Sequence, residues 1–220
     1  MSAAPKSPEG ELLERAVHDL KNALAVVRSS LEWLEVELKE REDALDAVRD
    51  AATAAERLVT IVEDLDSLAR LDAAGSARGD RVLLAPLIDA VVVEARAKLT
   101  SRSISVEASV AGALETTADG RLLGRSLAAL VQATARGASS GAVVEVTAAQ
   151  TTAPSGATVN EVRVGLRGAV DDGASEQGLD ALESSGLGVY VALRVVTAHH
   201  GSLTVVKTTT SSRIIVRLPL

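Results

Sequence analysis

ELLERAVHDLKNALAVVRSSLEWLEVEL, residues 11–38, decides how the chain begins to fold. Its apolar residues Leu13, Val17, Leu20, Leu24, Val27, Leu31, Leu34 and Leu38 recur at alternating spacings of four and three. That is an a/d heptad seam, the pattern that places one apolar stripe along an α-helix. A second seam follows at Leu45, Val48, Ala52, Ala55, Val59, Val62 and Leu65, with Arg49, Glu56, Arg57 and Glu63 on its other positions. The charged run Lys39 to Asp43 between them has neither Gly nor Pro, but it interrupts the seam, and Asp43 is a residue type that caps a second helix. Two helices of roughly 30 residues share too little surface to bury both stripes, so a hairpin completed by a second copy into a four-helix bundle is expected: a homodimer.

Outward from the hairpin the grammar changes. Residues 1–9, with Pro5 and Pro8 among small polar residues, read as a disordered leader, 10–72 as the helical hairpin, 73–82 as a linker rich in small residues, and 83–220 as a second domain. In that domain 84–99 and 119–136 have helical patterns, the latter with Leu122, Leu123, Leu127, Leu130 and Val131 on one side. Residues 103–110 alternate like a strand. Residues 143–148 and 161–166 are expected as antiparallel neighbours across a turn-prone ThrAlaProSerGly. A Gly- and Asp-rich loop at 168–186 precedes a helix from 187 to 200 stopped at Gly201, then strands at 202–207 and 213–218. The fold class is therefore α+β: a helical hairpin, then helices on one face of a mixed or antiparallel sheet.

Composition narrows the function. Almost half of the 220 residues are apolar, chiefly Ala, Val and Leu, with Trp33 and Tyr190 as the aromatic residues and no Phe, so the core must be aliphatic. A net charge of −7 disfavours nucleic-acid or anionic-membrane partners, which need clustered cations. With no cysteine there is no disulfide, thiolate nucleophile or Cys-based zinc site, and three histidines make any metal centre unexpected. The start of the chain lacks the apolar run of a signal peptide, and no stretch of about 20 apolar residues follows, so a cytoplasmic protein is expected.

His18 stands one residue beyond the seam position Val17, at the edge of the bundle, where its ring reaches solvent. The pentapeptide His18 to Asn22 supplies an imidazole, an adjacent carboxylate at Asp19 and an amide one helical turn later at Asn22. Neutral imidazole has one nitrogen lone pair, and a partner that holds the proton on the other nitrogen makes the first more nucleophilic. A lone helix-edge histidine beside Asp is more often a solvated surface residue; the surrounding heptads and the α+β domain give this one its context. Together they resemble the dimerisation and phosphoacceptor module of histidine kinases followed by their ATP-binding domain. His18, Asp19 and Asn22 match that family's phosphoacceptor motif, with Ala23 in place of its Pro. The resemblance implies that His18 is phosphorylated, that Asp19 is its general base, and that Asn22 orients the phosphoryl group or the water that removes it. It also implies that Lys21, Ala25 and Ser29 face a docking response-regulator receiver domain.

The second domain departs from the family. Its helix at 119–136 places Ala128 and Gln132 where paired asparagines belong; Ala has no ligating atom, and Gln is one methylene longer than the Mg²⁺-binding Asn. Leu166 or Arg167 stands where an adenine-reading Asp is expected, followed by Gly168. Gly186 and Gly188 resemble the last Gly-rich box before a helix N-terminus, and His199 and Gly201 its His-Gly end, where packing or capping suits both His199 and His200. Gln132, Gly168, Gly186 and Gly188 are thus the remnants of a cofactor site, ATP is not expected as a cofactor, and Mg²⁺ is expected from the partner receiver. The chain reads as a kinase-derived histidine phosphotransferase that works between receiver aspartates. A divergent autophosphorylating kinase and a non-enzymatic dimeric adaptor are the alternatives.

Overall fold

The computed structural model describes residues 8–38, 41–74, 79–153, 156–167, 176–177, 187–207 and 212–220. Two compact units divide the chain at Ala73 and Ala74.

The first unit is a pair of long helices, α1 (Pro8–Glu37) and α2 (Glu42–Ala74). They run antiparallel: Val17 and Leu24 pack with Val62 and Val59 near one end, and Glu35 of α1 meets Arg49 of α2 at 3.8 Å near the other. At the reversal the Arg41 N–H donates to the Leu38 carbonyl, and the Arg41 carbonyl accepts from the N–H groups of Ala44 and Leu45. Arg41 is therefore the capping position and Asp43 lies inside the first turn. The expected Asp43 cap is displaced because helical bonding already starts two residues earlier; the first turn is another position that favours an acidic residue. Alternate seam positions have different fates. Val17, Leu24, Val48, Ala55 and Val62 are buried within one chain, as is Ala69 one heptad on, whereas Leu20, Val27 and Leu65, with Leu58 and Ile61 beside the seam, remain between 37% and 50% exposed.

The second unit is a two-layer α+β sandwich. Strands β2 (Ser105–Val110), β4 (Val143–Thr152), β5 (Thr158–Leu166), β6 (Glu176–Gln177), β7 (Ser202–Lys207) and β8 (Ser212–Leu218) form one sheet in the order β2-β4-β5-β8-β7-β6. Only β2 and β4 pair in parallel; the other neighbours are antiparallel. Strands β1 (Asp80–Leu83) and β3 (Glu115–Ala118) form a separate antiparallel pair. β1 ends the stretch expected as linker, and neither it nor β3 is signalled by the sequence pattern.

Helices α3 (Leu84–Leu99), α4 (Gly120–Arg136) and α5 (Leu187–Ala198) supply the other layer. Ile88, Leu123, Leu127, Leu130 and Val196 pack with Val106, Val146, Val162, Val164 and Val216 in a continuous aliphatic core. The Asp119 carboxylate caps α4 by accepting from the N–H groups of Arg121 and Leu122. His199, 3% exposed, ties two elements together. Its Nε2 accepts the Asp119 N–H at 2.8 Å while Nδ1–H donates to the Val195 carbonyl at 2.8 Å. The residue in the left-handed conformation after α5 is His200 (φ 59°), not Gly201. Gly201 is needed for space: a Cβ there would stand 2.5 Å from the Arg217 carbonyl oxygen and 2.9 Å from a Val196 methyl.

Candidate functional site

His18 lies in α1 with its ring exposed, and Asn22, one turn on, approaches it: Asn22 Nδ2 is 3.2 Å from His18 Nδ1. Helical periodicity puts residues four, seven and eleven positions after His18 on the same strip, and Asn22, Ala25 and Ser29 are all exposed there. Of Asp19 only the backbone, within α1, is described.

Lys21, three residues after His18, flanks that strip and is half-buried. Its ammonium donates to Asp66 Oδ2 of α2 at 2.9 Å, across the hairpin. The same carboxylate accepts from Arg70 Nε at 3.2 Å through Oδ1. Burial of Asp66 pushes its carboxyl up, but the Lys21 hydrogen bond and the charges of Arg70 and Lys21 outweigh that and hold it below its ordinary value. An anion thus persists on an otherwise aliphatic seam, between Val62 and Ala69.

In the second unit Ala128 and Gln132 sit half-buried on α4, and Gly188 occupies the first turn of α5. At the end of β5 Leu166 is half-buried. Arg167 donates to Glu145 at 2.7 Å and to Glu107, and these bonds raise its guanidinium above its ordinary value. Gly168 and Gly186 lie outside the described residues.

Residues 9–74 match the family of the His Kinase A (phospho-acceptor) domain. The hairpin is thereby a phospho-acceptor domain of the histidine kinase type. Solved histidine kinases share the fold. Over 87% of this chain and 93% of its own, the Acinetobacter baumannii histidine kinase AdeS superposes with a TM-score of 0.56 at 16% identity. Full-length ShkA, solved with AMPPNP, gives a TM-score of 0.65 at 19% identity over 95% of this chain and 45% of its own. The cytoplasmic segment of histidine kinase QseC gives 0.50 at 16% identity over 74% and 93%. At these identities the likeness is one of fold. No curated protein sequence matches the chain. Among the described residues no helix is long and apolar enough to cross a membrane.

The hairpin presents His18 on the exposed face of its first helix. Of the three positions that the resemblance implies for docking, Ala25 and Ser29 are exposed on that strip and Lys21 is half-buried. The sequence pattern did not find Asp66, which reaches Lys21 from 45 residues away in the chain, or Arg70, which donates to the same carboxylate. The one available signal was Asp66 itself, an acidic residue directly after the seam position Leu65.

Proposed function

We propose that this chain is a kinase-derived histidine phosphotransferase. His18 takes a phosphoryl group from the phosphoaspartate of one response-regulator receiver domain and passes it to the aspartate of another, without using ATP. The observation that carries this is the Asn22 amide against Nδ1 of an exposed His18 inside a phosphoacceptor domain. A half-turn of that amide, which puts Oδ1 where Nδ2 stands, lets Asn22 accept a hydrogen bond from Nδ1–H and leaves the ring lone pair on Nε2. Nε2 then attacks phosphorus, the bond from phosphorus to the aspartyl oxygen breaks, and the carboxylate leaves with the electron pair. The Nδ1 proton passes to the Asp19 carboxylate and returns when the phosphoryl group moves on. Ala25 and Ser29, with Lys21 at their flank, form the face on which a receiver docks, and the receiver brings the Mg²⁺.

Three sets of residues support the remaining parts. ShkA holds a nucleotide analogue on the same fold, so the fold allows ATP and the residues decide. Here Ala128 and Gln132 replace the magnesium-binding pair, and Leu166 or Arg167 the adenine-reading carboxylate, none of which reproduces those contacts. Leu20 and Val27 on α1, with Leu58, Ile61 and Leu65 on α2, are apolar stripes that one chain leaves open, which fits a homodimeric four-helix bundle. Gly188, in the first turn of α5, favours a second reading as a divergent autokinase with an atypical nucleotide site.

Labelled ATP and Mg²⁺, alone and then with a phosphorylated receiver domain, separate the two. The expected result is acid-labile, base-stable label that comes only from the receiver and disappears in His18→Ala. Label from ATP alone makes the chain a kinase, and a function that survives His18→Ala makes it an adaptor.

A further inference from the structure

We infer that Lys21 positions the phosphoryl group on His18, and that Asp66 is the residue that holds Lys21 in place to do so. The inference rests on the phosphotransfer reading of His18. Lys21 follows His18 by three residues, a spacing that makes two helical side chains neighbours, about 5–6 Å apart at Cβ. A phosphoryl group on the imidazole brings negative charge that spreads over its three non-bridging oxygens during transfer. An ammonium has three donors, and the bond to Asp66 uses one. The side chain of Lys21 is 35% exposed, that of Asp66 only 7%, so the anion is fixed in the hairpin while the cation reaches its surface. The Asp66 carboxylate holds two cations, Lys21 through Oδ2 and Arg70 through Oδ1. A freely rotating lysine must be ordered at the moment of reaction; one already anchored is preorganised.

A mere latch between the helices is the plainer account, and the rest of the hairpin weighs against it. The pair Glu35 and Arg49, which also bridges α1 and α2, is an ordinary surface contact, 3.8 Å apart and more than half exposed on both sides. Asp66 instead is buried, between the seam residues Val62 and Ala69 and with Asp64 and Ser67 buried beside it, at a place where an apolar residue generally packs as well or better than a buried ion pair. A charge kept at such a place fits a task that a leucine cannot perform.

The full chain would be treated with potassium phosphoramidate, a small phosphoryl donor that requires no partner, and phosphohistidine followed by ³¹P NMR. Lys21→Met is expected to slow phosphorylation about tenfold, less than the loss of a fully enclosed donor, and Lys21→Arg to keep most of the rate. Asp66→Asn should slow it in the same direction, and Lys21→Met with Asp66→Asn should be no slower than Lys21→Met alone. The repacked pair Lys21→Met with Asp66→Leu separates positioning from latching. It should stay slow although its helical content and unfolding midpoint match the parent. Recovery of the rate in that variant, or parental rates in Lys21→Met, overturns the inference while leaving His18 as the acceptor. A parent chain that gains no phosphohistidine at His18 removes the phosphotransfer reading, and this inference with it.

Discussion

A buried carboxylate between two cations makes Asp66 a pH-dependent element of the hairpin. In the unfolded chain it titrates near the ordinary value of about 3.9, and in the fold lower. As pH falls the unfolded state binds the proton first, so the stabilisation is whole above about pH 4 and is lost as pH drops through the lower folded value. Thermal unfolding followed at 222 nm should show a midpoint that declines below pH 4, and Asp66→Asn should flatten that decline. His199 works by neutral contacts. Substituting Phe leaves the Asp119 N–H unpaired in the core, while the Val195 carbonyl keeps its bond from the backbone N–H of residue 199, and urea titration should report a loss of about 1–3 kcal/mol. Legibility at this scale followed distance along the chain. His18 and Asn22 are four residues apart, so helix periodicity alone places them together, and the packing or capping role expected of His199 agrees with its two bonds. The partnership of Lys21 with Asp66 needs the hairpin register, which no local pattern encodes.

The elements were legible where hydrophobic periodicity was long. α3, α4, α5 and the pairs β4 with β5 and β7 with β8 fall close to where alternation and the 3.6-residue pattern put them. β1 and β3 escaped because four residues with mostly exposed or half-exposed side chains carry too little alternation to register. The heptad seam showed where α1 and α2 are sticky, but not that one chain covers only alternate members of it. Each leucine fully removed from water contributes about 1.5–3 kcal/mol, so the open stripe is a large reservoir for association. A charge placed in it should split the proposed dimer: Val27→Asp with Ile61→Asp is expected to turn a particle of twice 22.6 kDa into a monomer by light scattering. In the other unit, a methyl at residue 201 collides with the Arg217 carbonyl oxygen. Gly201→Ala should therefore lower stability by about 1–3 kcal/mol in urea, although α5 itself ends at Ala198.

At the scale of the whole molecule two units carry different amounts of chemical information. The hairpin keeps histidine, amide and a flanking cation on one helix, whereas the sandwich keeps an aliphatic core and, on the proposed reading, carries Ala128 and Gln132 where a nucleotide site would need asparagines. Fold and function separate in this way because an aliphatic core tolerates changes at positions that face a ligand, and Ala128 and Gln132 remain good helix formers while neither supplies the Asn geometry. Ligand binding to the folded state alone raises its stability by about 2.7 kcal/mol at a hundredfold excess over Kd. For a unit of this size each kcal/mol moves the midpoint by about 2–4 °C. A competent nucleotide site should therefore shift the unfolding of the sandwich by several degrees in millimolar Mg²⁺ and AMPPNP. The expected shift is under about 1 °C, while phosphorylation of His18 by a receiver proceeds unchanged. A shift of several degrees that persists in His18→Ala would show that the pocket binds nucleotide through contacts other than the lost asparagines, with the first turn of α5 around Gly188 the first place to look.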